Sequence, residues 1–385
     1  MLDQSLRDRL IILATTVLAF SALYAPQPIL PRLAGEFATD PARVSLLITA
    51  TLLPLGLAPV FYGYWLESLP ARSLLRGAVL LLALAQLPFL FVDNLWLLIA
   101  VRLFQGLLLP AIFTSLMTYL STTTPVEQVR GVMATYIAAT ILGGFFGRAL
   151  SGLVAGFTDW RVTFALLALG LGLSWWALGR LTLDARTRFA RLEADAALRV
   201  LADRVYRQAY AIIFLVFFVF ASLLNLLPFR LTELSQELSE GRIALVYSGY
   251  LVGVIIALSS MALTRRLGGE APTILLGLGA YTLGVALFAL PSTTAVFAVM
   301  WLFCAGMFLV HSVLSGYLNH RALERKGVVN GLYIAFYYAG GTLGSFLPGW
   351  LYRHFGWNSY IVLLLGMLGV ALGLGVALRR QMVAG

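Results

Sequence analysis

Three side chains that can carry charge stand inside long apolar runs of this 385-residue chain: Arg102, Arg148 and His311. A charged group at mid-membrane costs at least a few kcal/mol, so such residues face a cavity or a partner. Arginine does not release its proton, so Arg102 and Arg148 can only hold an anion or tune another group. Histidine gains and loses a proton near neutral pH, so His311 can titrate as access to it changes. No acid is placed to pair with them. All 17 Asp and Glu fall in loops, tails or helix ends, with Glu67 and Asp93 flanking the second and third apolar runs. The arginines therefore need hydrogen-bond acceptors or an anion. Backbone carbonyls, Gln27, Gln105 and tyrosines are the candidates.

Other chemistries find no support. Three scattered histidines and no clustered acids leave nothing for a metal centre or for acid–base catalysis, so no metal, no cofactor and no enzyme activity are expected. Cys304, the single cysteine, sits in an apolar run, which gives neither a disulfide framework nor a thiol metal site. The chain has no phosphate-cradling glycine loop, so it does not draw on ATP by itself.

The elements that position these groups follow from composition. Residues are 60% hydrophobic and 11% charged, and apolar runs of about 20 residues recur, the length a helix needs to cross a bilayer core. The reading is an all-α polytopic membrane protein with spans at 8–30, 43–66, 72–92, 95–120, 129–156, 161–181, 209–230, 243–264, 272–291, 293–319, 327–351 and 358–379. Residues 1–181 and 209–385 form two six-helix bundles. Residues 182–208 form a linker with a helix lying on the membrane surface, because Phe189, Leu192, Ala196 and Val200 recur at helical spacing. With both termini in the cytoplasm, 19 of the 27 Lys and Arg fall on cytoplasmic segments, six on outer segments and two within spans. The net charge of +10 is thus an orientation signal rather than a nucleic-acid one.

The chain also repeats itself. A shift of 197 positions lays Val132, Tyr136, Gly143, Gly144, Gly147, Gly152 and Trp160 on Val329, Tyr333, Gly340, Gly341, Gly344, Gly349 and Trp357. Two parallel halves are the mark of a duplicated transporter, related by a pseudo-twofold axis along the membrane normal. Gly143, Gly147 and Ser151, like Gly144, Arg148 and Gly152, are spaced i, i+4, i+8, which makes smooth faces for close helix approach. Their expected place is the interface between the halves, with Gly340, Gly341 and Gly344 matching them in span eleven. Inside the repeat one position breaks: Arg148 falls on Ser345.

These features resemble the major facilitator superfamily over essentially the whole chain. Arg102-Leu103-Phe104-Gln105-Gly106 matches its R-x-x-Q-G signature. The run Gly143-Gly144-Phe145-Phe146-Gly147-Arg148, with Gly152 and Trp160-Arg161, resembles the fifth-helix motif of the drug–proton antiporter branch. Tyr24 to Pro31, His311-Ser312 and Tyr337 to Gly341 look most like inner-membrane efflux proteins of the arabinose-efflux type. One motif is degraded: the loop after span two keeps Gly63, Glu67 and Arg72, but Ser68 and Pro70 replace its central Arg and Gly. In the family this loop latches the cytoplasmic side, and here Glu67–Arg72 or Glu67–Arg130 is what remains.

The resemblance implies a major facilitator fold with spans one, four, seven and ten along the central pathway, which places Tyr24, Gln27, Gln105, Asn225 and His311 there and Tyr136, Tyr333 and Tyr337 on spans five and eleven. It implies a monomeric, multi-pass carrier of the inner membrane that exports a small organic solute with protons. The competing reading is an organic-anion exchanger or uniporter built on Arg102 and Arg148. Arg102 is expected to act structurally or in coupling within the first half. For Arg148, ~7 Å to the outer side of its span's centre, substrate contact and snorkelling to the interface both stay open. His311, ~9 Å to the inner side of its own, stands between a coupling or substrate group and a packing residue.

Overall fold

The computed structural model describes residues 4–65, 70–181, 194–322 and 326–384, and its regular elements are helices. The first half runs through α1 (Gln4–Tyr24), α2 (Leu30–Glu36), α3 (Pro41–Trp65), α4 (Ala71–Leu84), α5 (Leu95–Thr123), α6 (Val126–Phe157) and α7 (Arg161–Leu178). A short helix, α8 (Ala194–Ala202), leads into the second half: α9 (Arg204–Leu234), α10 (Glu240–Leu245), α11 (Gly249–Arg266), α12 (Glu270–Leu287), α13 (Thr293–Arg321) and α14 (Lys326–Ala384). Helix α14 is two spans in sequence, divided at Gly356, where φ of 76° takes the backbone into a region that glycine enters at no steric cost. That division yields twelve spans in two six-helix bundles.

Prolines set the end of span one. α1 stops at Tyr24, and the chain passes through a 3-10 turn at Gln27–Ile29 before resuming as α2. Pro26, Pro28 and Pro31 cannot donate to the preceding turns, so the continuous helix expected over 8–30 is broken here. The turn drives Gln27 into the interior, where it is 1% exposed. Span seven begins at Arg204, earlier than the expected 209, because Asp203 caps it by accepting from the Val205 N–H at 2.7 Å. Spans four and ten start alike, Asn94 capping Leu97 and Ser292 capping Ala295.

The repeat holds at the level of atoms. A Cβ on Gly143 would stand 2.6 Å from the Val17 carbonyl oxygen, and one on Gly340 closer still to that of Phe214. Gly147 faces Ser21 in the same way, and Gly344 faces Phe218. Residues 17 and 21 become 214 and 218 under the same shift of 197. These glycines therefore bring spans five and eleven onto spans one and seven inside each half, not across the interface as expected. Gly341 also packs within its half, against the Phe217 ring.

Other small residues join the halves. Gly152 packs against Ala244 and the Glu240 carbonyl (2.6 Å), Gly156 against the Gly241 N–H (3.2 Å), Gly349 against Ala42 (3.1 Å) and Gly56 against the Ala339 backbone (3.3 Å). We call the face bearing both chain ends the terminal face and the opposite one distal. The contacts between halves concentrate toward the distal face, where Asp40 pairs with Arg353 at 2.6 Å and Arg32 with Glu240 at 3.6 Å. Toward the terminal face α11 loses this packing, with no buried residue from Val254 to Arg266. Gly63 lies in α3. Glu67 and residues 182–193 of the linker lie outside the described residues.

Candidate functional site

Arg148 occupies the interface itself. Its side chain is fully buried. Nε donates to Gln27 Oε1 at 2.5 Å, and Nη1 donates to the Gly144 carbonyl of the preceding turn at 2.5 Å. Three rings surround the guanidinium: Tyr24 from the first half at 4.2 Å, and Tyr250 and Tyr247 from the second at 4.5 and 5.1 Å. Desolvated cation–π contacts of this kind contribute about 2 kcal/mol each. The third nitrogen, Nη2, is buried with no hydrogen-bond partner. A buried donor left so costs about 1–3 kcal/mol.

From Arg148 a hydrogen-bonded line crosses between the halves and returns. Gln27 Nε2 donates to Asn225 Oδ1 at 2.5 Å, Asn225 Nδ2 donates to the Ser345 carbonyl at 3.3 Å, and the Ser345 and Thr49 hydroxyls share a bond at 2.7 Å. Gln27, Asn225 and Ser345 are all buried. The line thus connects Arg148 to Ser345, its own repeat position in the other half. The proline turn that carries Gln27 is what lets span one reach Asn225.

His311 lies on a different wall, half-buried on α13. Its Nδ1 shares a hydrogen bond with the Tyr333 hydroxyl at 2.9 Å, which also donates to the His311 carbonyl at 3.2 Å. Tyr337 faces the imidazole with ring centroids 5.0 Å apart and stacks on Phe217 at 3.7 Å. Nε2 has no partner among the described residues. Ring contacts run from the histidine wall to the arginine, through Tyr337 on Phe217, Phe217 beside Phe220 (6.1 Å) and Phe220 beside Tyr250 (5.7 Å), with Tyr338 edge-on to Tyr337 at 5.0 Å, and so form a tyrosine-bearing layer between the two.

Arg102 is placed otherwise. It is fully buried inside the first half, with Nε on the Leu47 carbonyl (2.8 Å), Nη1 on the Ala22 carbonyl (2.9 Å) and on Gln105 (2.7 Å), and Nη2 on the Leu23 carbonyl (2.5 Å). Gln105 in turn donates to the Ala85 carbonyl at 2.7 Å. The pair ties four spans together and directs no free donor toward the second half. Tyr136 donates to the Phe113 carbonyl at 3.3 Å, a bond between spans five and four. Arg72 donates to the Gly179 carbonyl at the end of span six.

The structure thus brings Arg148, Gln27, Tyr24 and Asn225 into one group and His311, Tyr333 and Tyr337 into another. Arg102, Gln105 and Tyr136 stand apart from both. Sequence reasoning missed Tyr247, Tyr250 and Thr49, which carry no motif. The one available signal was Gly249 and Gly253 beside the two tyrosines, small residues that bring α11 close to its neighbours. Two apolar hollows of about 390 Å³ each lie on the outer flank of spans two to four and contain none of the expected site residues. Among the described residues no three His, Cys, Asp or Glu cluster as metal ligands would.

A fold of twelve spans in paired bundles, with a polar site between them, defines a membrane transporter. The profile of the Major Facilitator Superfamily matches residues 12–333, and the chain belongs to that family. It is 29% identical to the inner membrane transport protein YnfM of Escherichia coli K12, over 99% of this chain and 92% of that protein. It is 25% identical to the MFS-type transporter YybF of Bacillus subtilis, over 94% and 91%. Among solved structures, a bacterial homolog of the human lysosomal transporter Spinster in an inward-facing, unoccupied conformation superposes with a TM-score of 0.80 at 13% identity, covering 99% of this chain and 98% of that one. A D-xylose–proton symporter gives 0.77 at 14%, covering 97% of each. The protein is a secondary active transporter and not an enzyme.

Proposed function

We propose that the protein exports a small organic solute in exchange for protons, as a monomer in an inner membrane with the terminal face in the cytoplasm. The excess of Lys and Arg on segments at that face supports the orientation. The observation that carries the reading is the division of labour between the two walls. Arg148 cannot release its proton but keeps one buried donor open, so it holds an anionic or polar group of the solute. His311 is half-buried with one ring nitrogen unpartnered, so it takes up and releases the coupling proton. The tyrosine layer between them suits a neutral or amphipathic body, with rings for stacking and hydroxyls for hydrogen bonds. Arg102 and Gln105 hold the first half together while it moves.

The distal contacts give this reading its mechanical part. In the observed state the line from Arg148 through Gln27 and Asn225 seals the distal side, and it must part for that side to open. When Gln27 leaves, the Nε–H of Arg148 loses its partner as well, so the hydrogen bonding of the guanidinium changes as the distal side opens. The exchanger or uniporter reading keeps one observation in its favour: the described acids lie at span ends, so His311 alone is left to titrate.

Proteoliposomes with an imposed pH gradient, screened over amino acids, sugars, organic anions and cationic dyes, test both readings. His311→Gln is expected to abolish gradient-driven accumulation while solute binding stays measurable. Full accumulation by that variant makes His311 a packing residue and gives the lead to the exchanger or uniporter.

A further inference from the structure

We propose that the corner where spans three and six reach the terminal face binds the phosphate of an anionic phospholipid. Four arginines from three spans converge there on the carboxyl end of α7, Arg72 by donating to the Gly179 carbonyl. Arg7 donates to the Arg180 carbonyl at 3.2 Å. Arg76 lies over Gly179, so closely that a Cβ on that glycine would stand 3.2 Å from its Nη2. The Arg180 guanidinium stacks on Trp176 at 3.6 Å, and that of Arg76 approaches Trp175 at 5.4 Å. Asp8, 3.4 Å from Arg7, is the acid that pairs with this group among the described residues. Among the described residues the corner therefore holds more arginines than acids. The Nε of Arg76 is buried there with no partner.

Planar guanidinium forks match phosphate oxygens, and two of these are pre-oriented by tryptophan faces. The depth and the rings point to a lipid rather than to a free anion. Trp176 is 54% exposed on the flank of the outermost turn of a span, where a bilayer has its headgroups and where amphipathic rings settle. Basic pockets between spans at this level recognise anionic headgroups.

The duplication supplies an internal control. A general need for cytoplasmic charge would be met alike in both halves, but at the shift of 197 only Arg7 finds a basic counterpart, Arg204, while Arg72, Arg76 and Arg180 fall on Gly269, Thr273 and Ala377. The first turns of span nine, residues 270–276, start with Glu270 and contain no basic residue. Leu372 and Gly373 take the places of Trp175 and Trp176 in span twelve, and Arg379 and Arg380 lie exposed beyond them. This inference is independent of the solute carried and of the direction of transport.

The test measures the affinity of the purified full-length protein for phosphatidylglycerol and phosphatidylcholine by native mass spectrometry. The wild type is expected to prefer phosphatidylglycerol. Arg76→Gln/Arg180→Gln should weaken that lipid roughly 25-fold, at about five-fold per charge, whereas Arg379→Gln/Arg380→Gln should change it less than about two-fold. Arg180→Gln alone, an exposed side chain stacked on a ring, carries the same test with a five-fold expectation if the double variant does not fold. Equal losses at both corners, no preference for the anionic lipid, full affinity of Arg180→Gln, or displacement by millimolar inorganic phosphate would each overturn the lipid site.

Discussion

Spans five and eleven are the same helix written twice, and they have come to do different things. Both use two glycines to lay their backbone on a neighbour, Gly143 and Gly147 on span one, Gly340 and Gly344 on span seven, at matched residues of the two neighbours. One turn after Gly144 and Gly341 the copies part: the first carries Arg148, the second Ser345. What duplication preserved is backbone against backbone, which no side-chain change can relieve. What it released is the side chain aimed at the other half, where the two copies no longer face equivalent surroundings.

The comparison breaks most visibly if the glycines are filled. Gly147→Leu and Gly344→Leu each drive a side chain into backbone atoms of the adjoining span, where neither side can yield. Overpacking costs about 1–3 kcal/mol where side chains give way, and more is expected here. Both variants should yield little folded protein on detergent extraction, followed by size exclusion and melting temperature. Gly172→Leu, with nothing within 4 Å of its Cβ, should extract like the wild type. A normal melt for either repeat variant would mean that the close approach of these spans does not hold its own half together.

The chemical difference between the copies should show in binding rather than folding. Arg148→Ala removes the charge-assisted bond to Gln27, the ring contacts and the open donor. Losing bonds from a charged group costs about 1.5–3 kcal/mol, a drop of ten-fold or more in solute affinity. Arg148→Lys should not restore it, because a compact ammonium cannot reach Gln27 and the Gly144 carbonyl while lying against three rings. Ser345→Ala, at the same repeat position, loses only neutral hydroxyl bonds, to Thr49 and to the Thr342 carbonyl, and should stay within about three-fold. Isothermal calorimetry on the purified carrier with a transported solute measures all three, and similar losses for Arg148→Ala and Ser345→Ala would erase the functional asymmetry.

The sequence revealed the symmetric part of this molecule and little of the asymmetric part. Spans were legible because a bilayer demands long apolar runs, and the halves were legible because Gly143, Gly147 and Trp160 recur at one fixed shift. The break at Pro26–Ile29 was visible as prolines, but not its consequence, because the reach of Gln27 to Asn225 depends on how two halves dock. Arg148 and His311 were found by cost: charge is rare in spans. Tyr247 and Tyr250 were not found, since an aromatic in an apolar span has no local signature and only tertiary packing turns it toward a cation. Gly143 and Gly147 were correctly read as a close-packing face but given the wrong neighbour, because periodicity defines a face and not what covers it.

The smallest expected effect separates two layers of the distal seal. At the rim Asp40 and Arg353 pair at 2.6 Å, with the arginine side chain 53% exposed, and beneath them Asn225 is fully buried between Gln27 and Ser345. Exposed ion pairs contribute about 0–1 kcal/mol and are screened by salt. Asn225→Ala instead strands the buried Gln27 amide, at about 1–3 kcal/mol. Asp40→Asn should therefore raise the distal-open population at most about five-fold, and raised ionic strength should mimic it. Asn225→Ala should open the distal side further and be insensitive to salt. Spin labels at Arg43 and Trp350, both exposed at the distal rim, read the opening as a distance distribution. If Asp40→Asn opens the distal side as far as Asn225→Ala, the seal is a rim of charge. The line through Arg148 would then follow the movement of the halves rather than control it.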